Sequence, residues 1–251
     1  MTNVQLTIRD HIASIQLDNP AKHNSLAEAD IQQFIAHLDN VKETASTRVL
    51  VVTGSGDKTF CAGAALDQLS SGAISGELFE TLTDKLAAMP IPKICSLNGS
   101  AYGGGAEIGL CCDFRIGVTG MRMFVPAARL GLCYPLNGIQ RYVQRLGLAT
   151  AKRILIASEE FNGDALLSLG YLTHLVTRQQ LQQATQQMAE RIATLAPLAV
   201  MAMKNICDQT ADGSLDEGAA LSLIMQCNES NDLREGLRAT QEKRKPVFSG
   251  S

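Results

Sequence analysis

The chain of 251 residues is 45% hydrophobic and 19% charged, which is enough apolar material for one sizeable core, so a single α/β domain is the starting expectation. Its formal charge of −3 supplies no basic field, which excludes nucleic acid and an anionic membrane surface as partners expected from charge. No apolar run approaches the ~18 residues of a membrane span, and the start, MTNVQLTIRD, has neither the basic nor the apolar region of a leader, so a soluble cytoplasmic protein is expected.

Taken in order, Val4, Leu6 and Ile8, then Ile12, Ile15 and Leu17, form two β-prone runs broken at Arg9-Asp10. This pattern predicts an opening hairpin that ends at Asn19-Pro20. Ala27 to Val41 places Ile31, Phe34, Ile35, Leu38 and Val41 at helical spacing, an amphipathic helix. Val49 to Val52 reads as a buried strand, and Thr53 to Lys58 as the loop that leaves it. That loop is not a phosphate-binding P-loop, which needs glycine directly before the lysine and four residues between its glycines. Phe60 to Leu66 is rich in small residues and suits close backbone approach, a first candidate for ligand-facing N–H groups. Glu77 to Met89 is helical up to Pro90-Ile91-Pro92, and Ile94 to Leu97 and Phe114 to Val118 are strands. From Gly138 onward the pattern is almost wholly helical, with Pro197 restarting a helix and Gly213 separating two more. The division expected is an α/β core over 1–191 and a helical C-terminal segment over 192–251.

The seven cysteines (61, 95, 111, 112, 133, 207 and 227) lie mostly within apolar runs and form no C-x-x-C pair. They read as reduced, buried thiols rather than disulfides or a metal site, and four histidines without ligand-like spacing agree.

The run from Asn98 to Asp113 holds three consecutive glycines, Gly103, Gly104 and Gly105, after a strand. Without Cβ atoms these residues let a ligand approach the backbone, and a helix starting here leaves its first N–H groups without partners. Two readings are open: an oxyanion or phosphate site, or a tight strand-to-helix turn with a packing glycine. Glu107 bears on the choice, because a carboxylate one turn inside an otherwise apolar helix is costly unless a site solvates or uses it. Its alternative role is a cap or ion pair at the helix start.

Several motifs, in order and nearly end to end, resemble the crotonase superfamily, the enoyl-CoA hydratase/isomerase family. Asn19 to Leu26 resembles Pro-x-Lys-x-Asn-Ala-Leu, and Phe60 to Leu66 resembles Phe-x-Ala-Gly-Ala-Asp-Leu. Asn98 to Asp113 resembles the central Asn-Gly-x-Ala-x-Gly-Gly-Gly-x-Glu run. Pro126 to Gly131, Gln140-Arg141 and the Glu242-Lys243-Arg244 ending complete the series.

The resemblance implies an α/β spiral of ββα units with C-terminal helices that build a homotrimer or homohexamer. It implies acyl-CoA thioester substrates and no resident cofactor, coenzyme A being part of the substrate. Carried over, the N–H groups of Ala64 and Gly104 hold the thioester oxygen, with Gly63 and Gly103 beside them among the substrate-binding residues. Ala62, Leu66 and Asp67 lie on the pantetheine and adenine path with Lys22 and His23 nearby. Lys243 either meets the CoA phosphates from a neighbouring subunit or is a solvated surface lysine. Two preorganised N–H donors in a water-poor site stabilise an enolate oxygen far better than water does, which accounts for small residues at these positions.

The chain also departs from the family. Hydratases pair the glutamate at Glu107 with a second one in the segment that here reads Pro126-Ala127-Ala128-Arg129-Leu130-Gly131, so Ala127 replaces it. Ala65 stands where the family has aspartate, and Cys133-Tyr134-Pro135-Leu136-Asn137-Gly138 replaces a glycine-rich stretch. A rebuilt acyl pocket is expected, with Ala127 and Tyr134 in it. Three functions stay open: an enzyme in which Glu107 alone is the acid/base, its pKa raised by an apolar wall that includes Ala127; a decarboxylase that relies on the oxyanion hole; and a CoA-thioester binding protein. Without a role for Glu107, Tyr134, Asn137 or Arg129 would carry the chemistry.

Overall fold

The computed structural model describes residues 2–251. The opening hairpin is present: β1 (Val4–Arg9) and β2 (Ile12–Leu17) pair antiparallel from Val4↔Leu17 to Arg9↔Ile12. Asp10 and His11 both take positive φ, the conformation that a two-residue hairpin loop requires. Helix α1 (Glu28–Glu43) begins where Asp30 accepts from the Ala27 amide at 3.1 Å, and buries Ile31, Phe34, Leu38 and Val41 on one face.

Three ββα units follow. The first is β3 (Val49–Gly54) and β4 (Thr59–Cys61) with α2 (Leu66–Ser71) and α3 (Gly76–Ala87). The second is β5 (Lys93–Leu97), β6 (Ser100–Tyr102) and α4 (Gly104–Leu110). The third is β7 (Phe114–Val118) and β8 (Arg122–Phe124), then a 3-10 turn over Ala127–Leu130 and α5 (Leu136–Leu155). The remainder is β9 (Phe161–Asn162), α6 (Gly163–Ser168), β10 (His174–Val176), α7 (Arg178–Ala193), α8 (Pro197–Asp212), α9 (Glu217–Glu229) and α10 (Asn231–Gln241).

The loops inside the units, Ser55–Lys58, Asn98-Gly99 and Thr119–Met121, are too short for a crossover to a parallel neighbour in one sheet. Successive strands therefore alternate between two sheets: one in the order β1-β2-β3-β5-β7-β10, the other in the order β4-β6-β8-β9. This alternation is the spiral that the family resemblance implies. Two buried asparagines fasten its first loop. Asn24 Nδ2 donates to the carbonyls of Ser55 (3.0 Å) and Thr59 (2.9 Å), while Asn98 accepts from the Gly54 amide at 3.1 Å and donates to the Gly56 carbonyl at 3.0 Å.

The structure departs from the sequence expectation after Gly138, where β9 and β10 interrupt the helices and close one edge of each sheet. Strands of two and three residues between helices carry no periodicity that could announce them. Four cysteines (61, 95, 111 and 112) are buried free thiols as expected, but Cys133 and Cys207 are exposed and Cys227 is half-buried, a correction to the buried-thiol reading at those three. Among the described residues no helix is long and apolar enough to cross a membrane.

The core holds a buried ammonium, Lys93, 0% exposed at the start of β5. Its ammonium donates to the Ala87 carbonyl at 3.0 Å, lies 3.6 Å from Asp113, and has Lys204 as a further neighbour. Burial pulls its pKa down and Asp113 only partly offsets that. The unfolded chain therefore binds more protons than the folded one between the depressed value and the ordinary ~10.4, so stability rises with pH across that window. Thermal melts of wild type and Lys93→Met against pH should show this rise in the wild type and not in the variant; parallel curves would contradict it.

Candidate active site

Two turns meet backbone to backbone at the top of the spiral. Gly63, after β4, has φ +80°, and a Cβ placed on it would come within 2.8 Å of the Gly104 amide nitrogen. Only glycine fits, both for its positive φ and for this approach. On the other turn Gly103 has φ +51° and donates to the Phe124 carbonyl at 3.1 Å, which leads the chain into α4. A side chain on Gly104 would strike the ring of Phe79 from α3.

The bonds around these turns leave two amides over. Leu26 N donates to Gly63 O at 2.8 Å and Ala65 N to Leu26 O at 2.9 Å, which fixes the segment on either side of Ala64. Among the described residues neither Ala64 N nor Gly104 N donates to any atom of the chain. Both residues are half-buried, and the flanking bonds fix the backbone on either side of Ala64.

Glu107 lies one turn further along α4 and is 3% exposed. The wall around it is not the apolar one expected from the sequence. Tyr134 Oη donates to Oε2 at 2.7 Å, and the Arg141 guanidinium from α5 pairs with Oε1. Through its other nitrogen Arg141 bonds Asp84 Oδ1 on α3 at 2.9 Å, and Asn137 Nδ2 donates to Asp84 Oδ2 at 2.7 Å. Burial raises the Glu107 pKa above the ordinary carboxylate value, and Arg141 followed by Tyr134 works against that rise. The result is a carboxylate with a donor on each oxygen, held in a place where its proton affinity is increased.

The other sequence candidates divide by location. His23 accepts at its carbonyl from Ala62 N (3.1 Å), and its Nδ1 sits 2.9 Å from Thr59 Oγ1. Lys22 and His23 are therefore exposed beside Ala62, Gly63 and Ala64, with Leu66 and Asp67 exposed at the start of α2. Ala127 is buried at the start of the 3-10 turn, and the preceding Pro126 lies 3.7 Å from where a Gly103 Cβ would be. Lys243 stands apart, exposed beyond α10, with its amide donating to Thr240 O at 3.3 Å. Arg129 donates to Ser158 O at 2.5 Å and covers the Phe124 ring at 5.4 Å.

Sequence alone does not single out Asp84, and gives Arg141 no role beyond its motif. The one available signal is the i, i+4 spacing of Asn137 and Arg141, which aims both at α3.

The sequence profile described as Enoyl-CoA hydratase/isomerase matches residues 7–251. The chain is 31% identical to the (E)-benzylidenesuccinyl-CoA hydratase of Thauera aromatica, with 99% of each chain covered. It is 28% identical to the crotonyl-CoA hydratase of Syntrophomonas wolfei, covering 98% of this chain and 97% of the relative. The crystal structure of an enoyl-CoA hydratase from Bacillus anthracis superposes with a TM-score of 0.91 at 28% identity, covering 100% of both chains. A spiral of ββα units, a glycine turn that leads into Glu107, and a profile that matches nearly the whole chain together place this protein in the enoyl-CoA hydratase/isomerase family of enzymes.

Proposed function

We propose that the protein is an acyl-CoA enzyme that forms a thioester enolate between the Ala64 and Gly104 amides, with Glu107 as its single acid/base. The observation that carries this reading is the pair of half-buried amides without acceptors, that of Gly104 one helical turn before a buried, hydrogen-bonded carboxylate. Coenzyme A enters with the substrate, its pantetheine and adenine running past Ala62, Leu66, Asp67, Lys22 and His23, and Lys243 of a neighbouring copy reaches its phosphates.

For hydration, water oxygen bonds to C3 of a 2-enoyl thioester as the C2–C3 π pair moves through C1 onto the thioester oxygen, where the two N–H groups hold the charge. Glu107 takes the proton released by the water and returns it to C2 as the enolate collapses, so one carboxylate closes the cycle. In isomerisation the same group takes a proton from one carbon and returns it to another. A decarboxylase would need no acceptor at Glu107, since loss of CO2 forms the enolate directly.

Turnover of 2-enoyl-CoA, 3-hydroxyacyl-CoA and malonyl-type CoA esters separates these outcomes. Activity on either of the first two is expected; activity confined to the malonyl ester, or binding without turnover, contradicts the reading. Ala127→Glu should raise hydration of an enoyl-CoA, because it restores a second carboxylate next to the glycine turn; an unchanged or lower rate would show that Ala127 does not stand at the acid position.

Assembly as a trimer or a pair of trimers is part of the same proposal. Leu221, Ile224 and Met225 on α9 and Leu237 on α10 are 45–60% exposed, more apolar surface than a solvated helical end carries. Sedimentation at micromolar concentration should give a trimer mass or its double, and a monomer would contradict it.

A further inference from the structure

Burying a carboxylate at 3% exposure would by itself favour the protonated form, and a protonated Glu107 cannot take a proton from water or carbon. The groups that face it are Asp84 and Thr83 from α3, Cys111 just past the end of α4, Tyr134 from the segment before α5, and Arg141 and Tyr142 from α5. Only Arg141 among them brings a positive charge. It does not reach in as a free side chain. Its fork spans Glu107 on one nitrogen and Asp84 on the other at 2.9 Å, and Asp84 is itself held by Asn137 at 2.7 Å. Its side chain is 11% exposed, so solvent screens the pair weakly.

We propose that Arg141, anchored on Asp84, is a positioning residue that keeps Glu107 a carboxylate in the resting enzyme and fixes which oxygen is left for the substrate. With Oε1 taken by the guanidinium, Oε2, to which Tyr134 donates at 2.7 Å, is the atom from which a proton enters and leaves. This rests on the reading of Glu107 as the acid/base. It assigns to Arg141 and Asp84 part of what a second carboxylate does elsewhere, since a lone group must begin every cycle in one defined protonation state.

The test combines a spectroscopic titration with kinetics in Arg141→Met and Arg141→Lys. Losing an opposite charge at contact distance raises a carboxyl pKa by about 1–3 units. In Arg141→Met the carbon-13 carboxyl resonance of Glu107 should therefore titrate at least one unit higher than in wild type, while Arg141→Lys stays close to wild type. The acid limb of kcat/KM should move up with it, giving on the order of tenfold loss on the acid side of the wild-type limb that vanishes on the alkaline plateau, with kcat rather than KM carrying the change.

An unmoved Glu107 resonance in either a folded Arg141→Met or a charge-neutral Arg141→Gln, or a loss equal at every pH, would overturn the proposal. If Glu107→Gln were inactive while the Arg141 profile stayed flat, only this inference would fall. Full turnover by Glu107→Gln would overturn the acid/base reading and this inference with it.

Discussion

Glu107→Gln is expected to lower kcat by about 10²–10⁴, the range that a positioned acid/base contributes, and to leave affinity for the CoA ester nearly unchanged. The substitution keeps the shape of a buried side chain and removes only the capacity to hold and release a proton. The fold should tolerate it, because Arg141 keeps Asp84 as its partner at 2.9 Å and is not left as an uncompensated buried charge. Tyr134 can still donate to the amide oxygen. Steady-state kinetics on the accepted thioester, with ester affinity measured separately by calorimetry, checks the prediction. Full activity would reduce Glu107 to a structural ion pair and turn attention to Tyr134 and Asn137.

Gly104→Val should cost at least the 10²–10³ in rate associated with loss of one oxyanion donor. The side chain cannot be accommodated where it points, since even a Cβ on Gly104 overlaps the Phe79 ring, so the turn must move and take the Gly104 N–H with it. Packing and catalysis can be separated. In Gly104→Ala the smaller Cβ meets the same ring, and Phe79→Ala made together with it opens the space. The double variant should regain much of the lost rate, because the N–H returns to its place although a core contact is gone. If Gly104→Val matched wild type in kcat, the amide would have no part in the reaction. Circular dichroism at 222 nm and a thermal melt of each variant show whether the fold survives.

How far these features were legible in the sequence depends on how locally each is encoded. The glycine turn, the small-residue segment from Phe60 to Leu66 and the strands that feed them are contiguous, and their chemistry follows from residue size and backbone freedom. Gly63 is an example: its need for positive φ is local, although its contact with the Gly104 amide is not. The surroundings of Glu107 are assembled from residues far apart in the chain. Asn137 and Arg141 lie 53 and 57 residues from Asp84, and no motif spans that distance. The sequence therefore points to an apolar wall at Ala127, and the structure puts a tyrosine and an arginine against the carboxylate. The short strands β9 and β10 are silent in the sequence for a related reason, since their partners are sheet edges built by earlier parts of the chain.

The measurement that bears most directly on the central claim is a crystal structure with a 3-oxoacyl-CoA, an ester acidic enough at C2 to lose that proton and share the enolate charge with its thioester oxygen. That oxygen is expected about 2.7–3.1 Å from both Ala64 N and Gly104 N, with Oε2 of Glu107 turned toward C2 and Arg141 still on Oε1. A thioester oxygen held by other donors, or a Glu107 carboxylate on the far side of α4 from the acyl chain, would contradict the account.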